Sequence, residues 1–362
     1  MAEVQLSEIE KRFAANRILD QLNLTVPAGQ YLVLLGKSGC GKTTTLKIIA
    51  GLERADRGRV EIAGRDMHGV PPRQRDVAMV FQGDALYPHL TIEQSLRLGL
   101  KRVVSGDQLK QRIQQATTLV GIDGILDRKP NGLSGGELRR AAVAKAIVRR
   151  SSVRLLDEPL SALDANVRYA IGESLLRWHQ EYPGTTIHVT HDGQEAMRMA
   201  DRIAVMDEGK IVQSASPQEI YESPVNRTVA LAIGSPLMSF VEAAMVDGRL
   251  VCAAGEIQTI GQTCLSGYED SKVSVGIRAP ACRFVSADSV PDQPGVLMTG
   301  KILRTRMIDG RTVTRIAVGS ATVDAEAKDR SIAVGGDAMV FVCADDLYIF
   351  DEITGERLKR RE

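Results

Sequence analysis

Tyr31-Leu32-Val33-Leu34-Leu35-Gly36-Lys37-Ser38-Gly39-Cys40-Gly41-Lys42-Thr43-Thr44 decides the fold. Five apolar residues in a row have the composition of a buried strand. The glycine-rich turn at 36–41 follows, and then Leu46, Ile49 and Ala50 stand at helical spacing until Gly51 stops the run. A strand, a glycine loop and a helix in that order place several backbone N–H groups and a helix N-terminus at one point, where phosphate is held. Lys42 is placed to reach the β and γ phosphates of a nucleotide, and Thr43 to put its hydroxyl on Mg2+.

Working outward, residues 153–156 and 186–190 also have strand composition. Each is followed at once by polar groups, Asp157 and Glu158 after the first and His191 and Asp192 after the second. In open α/β sheets ligands sit beyond the carboxyl ends of the strands, so all three junctions are expected to face one crevice. There Asp157 would hold Mg2+ through water, and Glu158 would take a proton from attacking water or align it. The first segment alternates in strand fashion at Val4, Leu6 and Ile9.

Residues 86–150 read as mainly helical, with apolar positions three and four apart in 91–100 and 108–120. Within them Leu133-Ser134-Gly135-Gly136-Glu137 opens a helix containing Ala141, Ala144 and Ile147. Ser134 and Glu137 have the spacing of a capping box, and a serine with two glycines at a helix start is also a second phosphate site. One chain then carries two such sites far apart in sequence. Two copies arranged head to tail would let each complete the other's site, whereas a metabolic kinase or a GTPase would have no use for the Ser134 segment. From about 237 the texture changes to short β-like runs punctuated by Asp247-Gly248, Asp309-Gly310 and Gly335-Gly336, dipeptides that favour tight hairpins. A separate small β-barrel is expected.

Composition narrows the function. With 362 residues, two domains are expected, since a domain takes ~100–200. Lys+Arg 46 against Asp+Glu 45 leaves a net charge of +1, which argues against a nucleic-acid partner. Hydrophobic residues at 44% and charged at 25% exclude disorder. Cys40, Cys252, Cys264, Cys282 and Cys343 include no metal-type or redox-type pair, which fits a reducing compartment. The first residues are charged rather than signal-like, and the aliphatic runs are far shorter than the roughly 20 residues that cross a membrane.

The phosphate loop, Leu133-Ser134-Gly135-Gly136, Leu156-Asp157-Glu158-Pro159, Ser161-Ala162-Leu163-Asp164 and Thr190-His191-Asp192 together resemble the ATP-binding subunit of an ABC transporter. Val80-Phe81-Gln82, Ala85-Leu86-Tyr87-Pro88-His89-Leu90 and Ile233-Gly234-Ser235-Pro236 are similar to the maltose-type and glycerol-phosphate-type bacterial importers, and Gly276-Ile277-Arg278 and 347–351 to their OB-like regulatory domain. The resemblance implies an α/β fold: a RecA-like P-loop NTPase core with antiparallel β and helical subdomains over 1–235, the helical part at about 86–150, and an OB-like all-β domain over 236–362. It implies ATP hydrolysis with Mg2+, energising import of a sugar, polyol or glycerol phosphate. Polyamine, sulfate or metal-ion import and a soluble non-transport ABC ATPase are the alternatives.

The resemblance also assigns roles. Nucleotide would be bound by Phe13, stacked on adenine, and by Gly36, Lys37, Ser38, Gly39, Cys40, Gly41, Lys42, Thr43 and Thr44. From the neighbouring copy, Ser134, Gly135, Gly136, Glu137 and Asp164 would reach it. Glu158, His191, Lys42 and Gln82 would be catalytic, His191 as the switch on the γ phosphate, and Thr43, Gln82 and Asp157 would hold the metal. The partners implied are a second ATPase copy or a paralogue, two transmembrane permease subunits gripped through the groove at 85–90, and indirectly an extracytoplasmic solute-binding protein. The chain is expected at the cytoplasmic face of the cell membrane.

Four departures stand out. Glu137 replaces a glutamine and puts a carboxylate where it would oppose the partner's γ phosphate. Arg154 falls in a strand where the family is apolar and needs a partner or a route to solvent. Lys37 stands for a common proline, and Gly193 for a common glutamine. Cys40, at a helix start beside Lys42, is expected to have a lowered thiol pKa and to be alkylated readily. His188, inside its strand, is read as structural.

Overall fold

The computed structural model of the protein describes residues 1–358 other than 82, 84–85, 99, 101–103, 105, 162, 247–248, 252–256, 261–270, 287–288, 290 and 328–332. The chain divides into two compact units, Met1–Pro217 and Gln218–Glu362. The first contains β1 (Val4–Phe13), β2 (Asn16–Val26), β3 (Tyr31–Leu35), α1 (Lys42–Ala50), β4 (Arg57–Ile62), β5 (Arg65–Asp66) and β6 (Val77–Val80). Then come α2 (Ile92–Arg97), α3 (Gly106–Val120), α4 (Gly135–Arg149), β7 (Val153–Asp157), α5 (Ala165–Glu181), β8 (Thr185–Thr190), α6 (Gly193–Met199), β9 (Arg202–Asp207) and β10 (Lys210–Ala215).

These strands make two sheets, one in the order β2-β1-β4-β5 and one in the order β10-β9-β3-β8-β7-β6. The first is antiparallel; in the second, β9, β3, β8, β7 and β6 run parallel and β10 runs antiparallel at the edge. Every residue of β3, β7 and β8 is buried, as expected of parallel strands covered on both faces. Leu46, Ile48 and Ile49 of α1 join one core with Val4, Leu6 and Ile9 of β1 and Leu32 and Leu34 of β3. Fully burying each such side chain stabilises by about 1.5–3 kcal/mol, so α1 is pinned between the two sheets. Gly51 closes α1 in the left-handed region at φ 76°, donating to the carbonyls of Ile48 and Lys47 through the C-cap turn.

Register delivers the crevice that the sequence requires. Leu35 pairs with Thr190 and Asp157 with Val189, so β3, β8 and β7 end level with one another. Between β6 and β7 the chain forms α2, α3 and α4, of which α2 ends at Arg97, shorter than the run expected over 91–100.

Arg154, in the centre of β7 and 1% exposed, finds its partners at the end of α5. Its guanidinium lies 4.4 Å from the centre of the Trp178 ring and donates to the carbonyls of Trp178 and Tyr182, among the last carbonyls of that helix. Gly184 leaves it room, since a Cβ there would stand 2.8 Å from Nη2. Nε has no hydrogen-bond partner among the described residues, and burial pushes the group's pKa down to about 10.

The second unit opens with α7 (Pro217–Glu222), which starts at the boundary, and α8 (Arg227–Ala232). The strands that follow are β11 (Ser239–Val246), β12 (Arg249–Val251), β13 (Ile257–Ile260), β14 (Lys272–Ile277), β15 (Arg283–Phe284), β16 (Gly295–Ile308), β17 (Arg311–Val318), β18 (Ala321–Ala327), β19 (Asp337–Cys343) and β20 (Tyr348–Asp351). They form two antiparallel sheets, β12-β11-β14-β20 and β15-β19-β16-β17-β18, with β13 beside β16, around one core. Division after Pro217 lies upstream of the boundary expected at 235/236, because both short helices pack on these strands. Ile220, Val229 and Ala230 are fully buried, and Arg278 stacks 3.7 Å from the Tyr221 ring centre while donating to the carbonyls of Tyr221 and Ile233.

Asp309-Gly310 is a two-residue hairpin between β16 and β17, with φ 49° and 76°. Gly335-Gly336 is not a hairpin tip: β18 and β19 are not neighbours, and the two glycines instead hydrogen-bond with Ile302 of β16. Asp247-Gly248 lies outside the described residues.

Arg154→Ala is expected to cost about 3 kcal/mol in urea unfolding, from a cavity plus carbonyls left without a donor. Arg154→Met, which fills the space without a charge to desolvate, is expected to cost under about 1 kcal/mol.

Candidate functional site

The loop between β3 and α1 holds its shape through its glycines. Gly39 and Gly41 have φ +85° and +110°, a region that costs side-chain-bearing residues strain, and a Cβ on Gly36 would meet Met206 O at 2.3 Å. Within this loop the Lys42 ammonium is buried and donates to the carbonyls of Gly36 (2.7 Å) and Lys37 (2.8 Å). Lys37, Ser38 and Gly39 are exposed at the tip. A cavity of ≈ 340 Å³ opens over the loop, lined by Phe13, Ile18, Ser38, Gly39, Gly41, Lys42, Thr43, Thr44 and Glu158. Phe13, at the end of β1, is 47% exposed, with the Lys11 ammonium 4.9 Å from its ring centre.

Thr43 Oγ1 donates to Asp157 Oδ1 at 2.9 Å, joining the start of α1 to the end of β7. Asp157 is buried, and burial raises its carboxyl pKa, opposed by the Thr43 hydrogen bond. A hydroxyl and a carboxylate side by side are the hard oxygen donors that Mg2+ accepts, so the residues present fit that ion.

Glu158, one residue on, sits at φ +45°, a conformation that a non-glycine residue holds only when its surroundings impose it. The surroundings include Arg139 in the first turns of α4. Its guanidinium is buried and donates to the carbonyls of Phe81 (2.6 Å), Asp157 (3.1 Å), Glu158 (2.6 Å) and Pro159 (2.7 Å). Glu158 N–H donates to Val189 O at 3.0 Å, which fixes the turn to β8. Arg139 was not among the residues singled out from sequence; its position beside the glycine pair is the only signal that could have drawn attention to it.

His191 follows β8 and is 56% exposed in its side chain, with Nδ1 3.4 Å from Glu158 Oε1. Asp192 caps α6, accepting from Gln194 N and Glu195 N. Phe13, the loop, Asp157, Glu158 and His191 are thus gathered at one end of the parallel sheet. Ser134, Gly135, Gly136, Glu137 and Asp164 are absent from the lining of the cavity. Asp164 caps α5 through Val167 N (3.0 Å), and Ser134 caps α4. Gln82 and Ala85 lie outside the described residues.

Two of the expectations, for Glu137 and for Cys40, read differently in the structure. The Glu137 carboxylate is turned back onto its own helix start, where Oε2 accepts from Ser134 N (2.8 Å) and Ser134 Oγ (2.7 Å); the main-chain donor holds it below the usual carboxylate range. Cys40 is only 8% exposed, and burial raises its thiol pKa more than Lys42 and the loop amides lower it. The expected reactive thiolate is therefore corrected: desolvation outweighs the nearby charge.

A parallel sheet whose first strand feeds this glycine loop, with the acidic end of β7 against Thr43, defines a P-loop nucleoside triphosphatase. A family model described as ABC transporter matches residues 19–161. The trehalose/maltose import ATP-binding protein of Thermococcus litoralis is 37% identical over 99% of this chain and 100% of its own. The sulfoquinovosyl glycerol transport ATP-binding protein of Agrobacterium fabrum is 43% identical over 77% of this chain and 79% of its own. Among solved structures, a dimeric post-hydrolysis state of an ATP-binding cassette bound to ADP and Pi aligns with a TM-score of 0.54 at 27% identity, covering 59% of this chain and 98% of that one. The chain belongs to the ABC transporter family, as an ATP-binding subunit that hydrolyses ATP.

Cys40 is expected to react with iodoacetamide at pH 8 at least about tenfold more slowly than a free cysteine, and faster as pH rises past 9. Mass spectrometry of the labelled peptide over time measures this.

Proposed function

We propose that this chain is the ATP-hydrolysing subunit of an importer for a sugar, polyol or glycerol phosphate, working as a head-to-tail dimer under two transmembrane permease subunits. One observation carries the dimer: Phe13, the phosphate loop and Glu158 share a cavity whose lining includes neither Ser134 nor Asp164. Phosphate-seeking groups at Ser134, Gly135 and Gly136 then have a use only against another copy's nucleotide. The import ATPases of similar sequence support the solute class. Among the described residues no helix is long and apolar enough to cross a membrane, which agrees with a subunit that works through membrane partners. We assign it to the cytoplasmic face, where ATP is.

In this reading Phe13 stacks on adenine and the loop amides from Gly36 to Thr44 cradle the phosphates. Thr43 and Asp157, with Gln82, would hold Mg2+, which would supply neutralisation of charge on the phosphate oxygens. Lys42, His191 and the partner's signature serine stabilise the transferring phosphoryl group, each such donor contributing about 3–4 kcal/mol of barrier lowering. Glu158 takes the proton of the attacking water. Its main chain is fixed by Arg139 and Val189, so the carboxylate is oriented before ATP arrives. Glu137, which keeps Ser134 occupied in the free chain, competes with phosphate for that serine.

Glu158→Gln is expected to lower ATP hydrolysis at least about 100-fold while keeping ATP binding, so that a dimer accumulates in sedimentation with Mg-ATP. Near-normal turnover would remove Glu158 from this role.

Mixed dimers of a Lys42→Ala chain with a Ser134→Ala chain place both defects in one composite site and leave the other whole. Their hydrolysis is expected to exceed that of either parent by about tenfold. No rescue would count against the head-to-tail arrangement.

A further inference from the structure

The interior behind the phosphate site contains a polar chain that the roles assigned above leave unused. His188, fully buried in β8, has Nδ1 2.9 Å from the hydroxyl of Tyr31 in β3. Its Nε2 stands 2.6 Å from Oε1 of Glu195 in α6, itself 7% exposed. Neither Nε2 nor Oε1 has a hydrogen-bond partner among the described residues, so each depends on this one approach. The other carboxylate oxygen of Glu195 accepts from Thr190 Oγ1 (3.3 Å), and that hydroxyl accepts from Asp192 N (3.1 Å). Burial raises the Tyr31 pKa well above its usual value, so its proton stays on the oxygen. With Tyr31 donating to Nδ1, Nε2 is the protonated ring nitrogen, and it lies against Oε1 of Glu195 while Thr190 donates to the other carboxylate oxygen.

Thr190 and Asp192 are the residues on either side of His191. Its own side chain is 56% exposed and, among the described residues, is approached by Glu158 at 3.4 Å. What orients His191 is therefore its backbone, and the backbone is tied inward through Thr190.

We propose that Glu195, braced by His188, is a positioning residue for ATP hydrolysis: it fixes the Thr190–Asp192 turn and thereby the direction in which His191 is presented. This rests on the reading of His191 as the group that meets the γ phosphate. His188, which looks structural in the sequence, is the brace, because without it the buried carboxylate loses its counterpart. A displaced turn misaims the imidazole without touching the phosphate loop, so the effect falls on turnover rather than on binding.

The test compares Thr190→Ser, Thr190→Val, Glu195→Gln and His191→Ala in the full chain, measuring kcat and KM for ATP together with fluorescent-nucleotide binding. Thr190→Val keeps the shape of the buried side chain and removes the hydroxyl, whereas Thr190→Ser keeps the hydroxyl and loses the methyl. A packing role favours valine; the proposed role favours serine. Thr190→Ser is expected to stay within about twofold of the wild-type kcat, and Thr190→Val and Glu195→Gln to lose about tenfold, with KM within about threefold. The Thr190→Val/Glu195→Gln double variant should be no worse than the poorer single, since both break one chain. Wild-type kcat in Thr190→Val with an impaired His191→Ala overturns this inference alone, as does a serine variant worse than the valine. Undiminished turnover in His191→Ala overturns the reading of His191 beneath it. If Glu195→Gln does not fold, the serine and valine pair decides the matter.

Discussion

The hydrogen bond from Thr43 to Asp157 joins residues 114 positions apart and fixes where everything else must stand. It holds the first turn of α1 against the carboxyl end of β7. Once those two points meet, the glycine loop, the turn at Glu158 and the end of β8 have to share one crevice. The bond forms because α1 is buried on both sides, by the antiparallel sheet and by the parallel one, and cannot slide along its axis without uncovering Leu46 and Ile49. Packing sets the position of the helix, and the helix sets the position of the hydroxyl.

In the proposed function, catalytic alignment is carried to a large degree by main-chain atoms. Glu158 is held by its own carbonyl and amide, and the turn around His191 by the amide of Asp192. Arg139 and Thr190 do this holding from buried positions, as does Glu195 behind Thr190. The side chains proposed to meet the reactants, His191 and Phe13, are exposed, while these supports lie in the dry interior.

Local sequence made the phosphate loop and the strand ends legible, since strand Tyr31–Leu35, the glycines and α1 are adjacent and each has its own short-range cause. The level strand ends were inferable for the same reason, from polar residues following apolar runs. What local reading missed depends on distant partners. Arg139 acts on carbonyls of Phe81 and of residues 157–159, none of them near it in sequence. Arg154 looked anomalous until the end of α5 supplied its acceptors. For Cys40 both opposing effects were present in principle, and only the burial in the folded loop decides between them.

The docking of α7 and α8 on the second unit also bears on how such chains can be recombined. A seam placed at Pro217 keeps Ala230 with Met238 and Phe350, and Tyr221 with Arg278. A seam at 235 would strand greasy helices on a foreign neighbour and bare the pocket they vacate. Chimaeras that trade β modules between related ATPases should therefore be spliced ahead of Gln218, with both helices travelling as part of the graft.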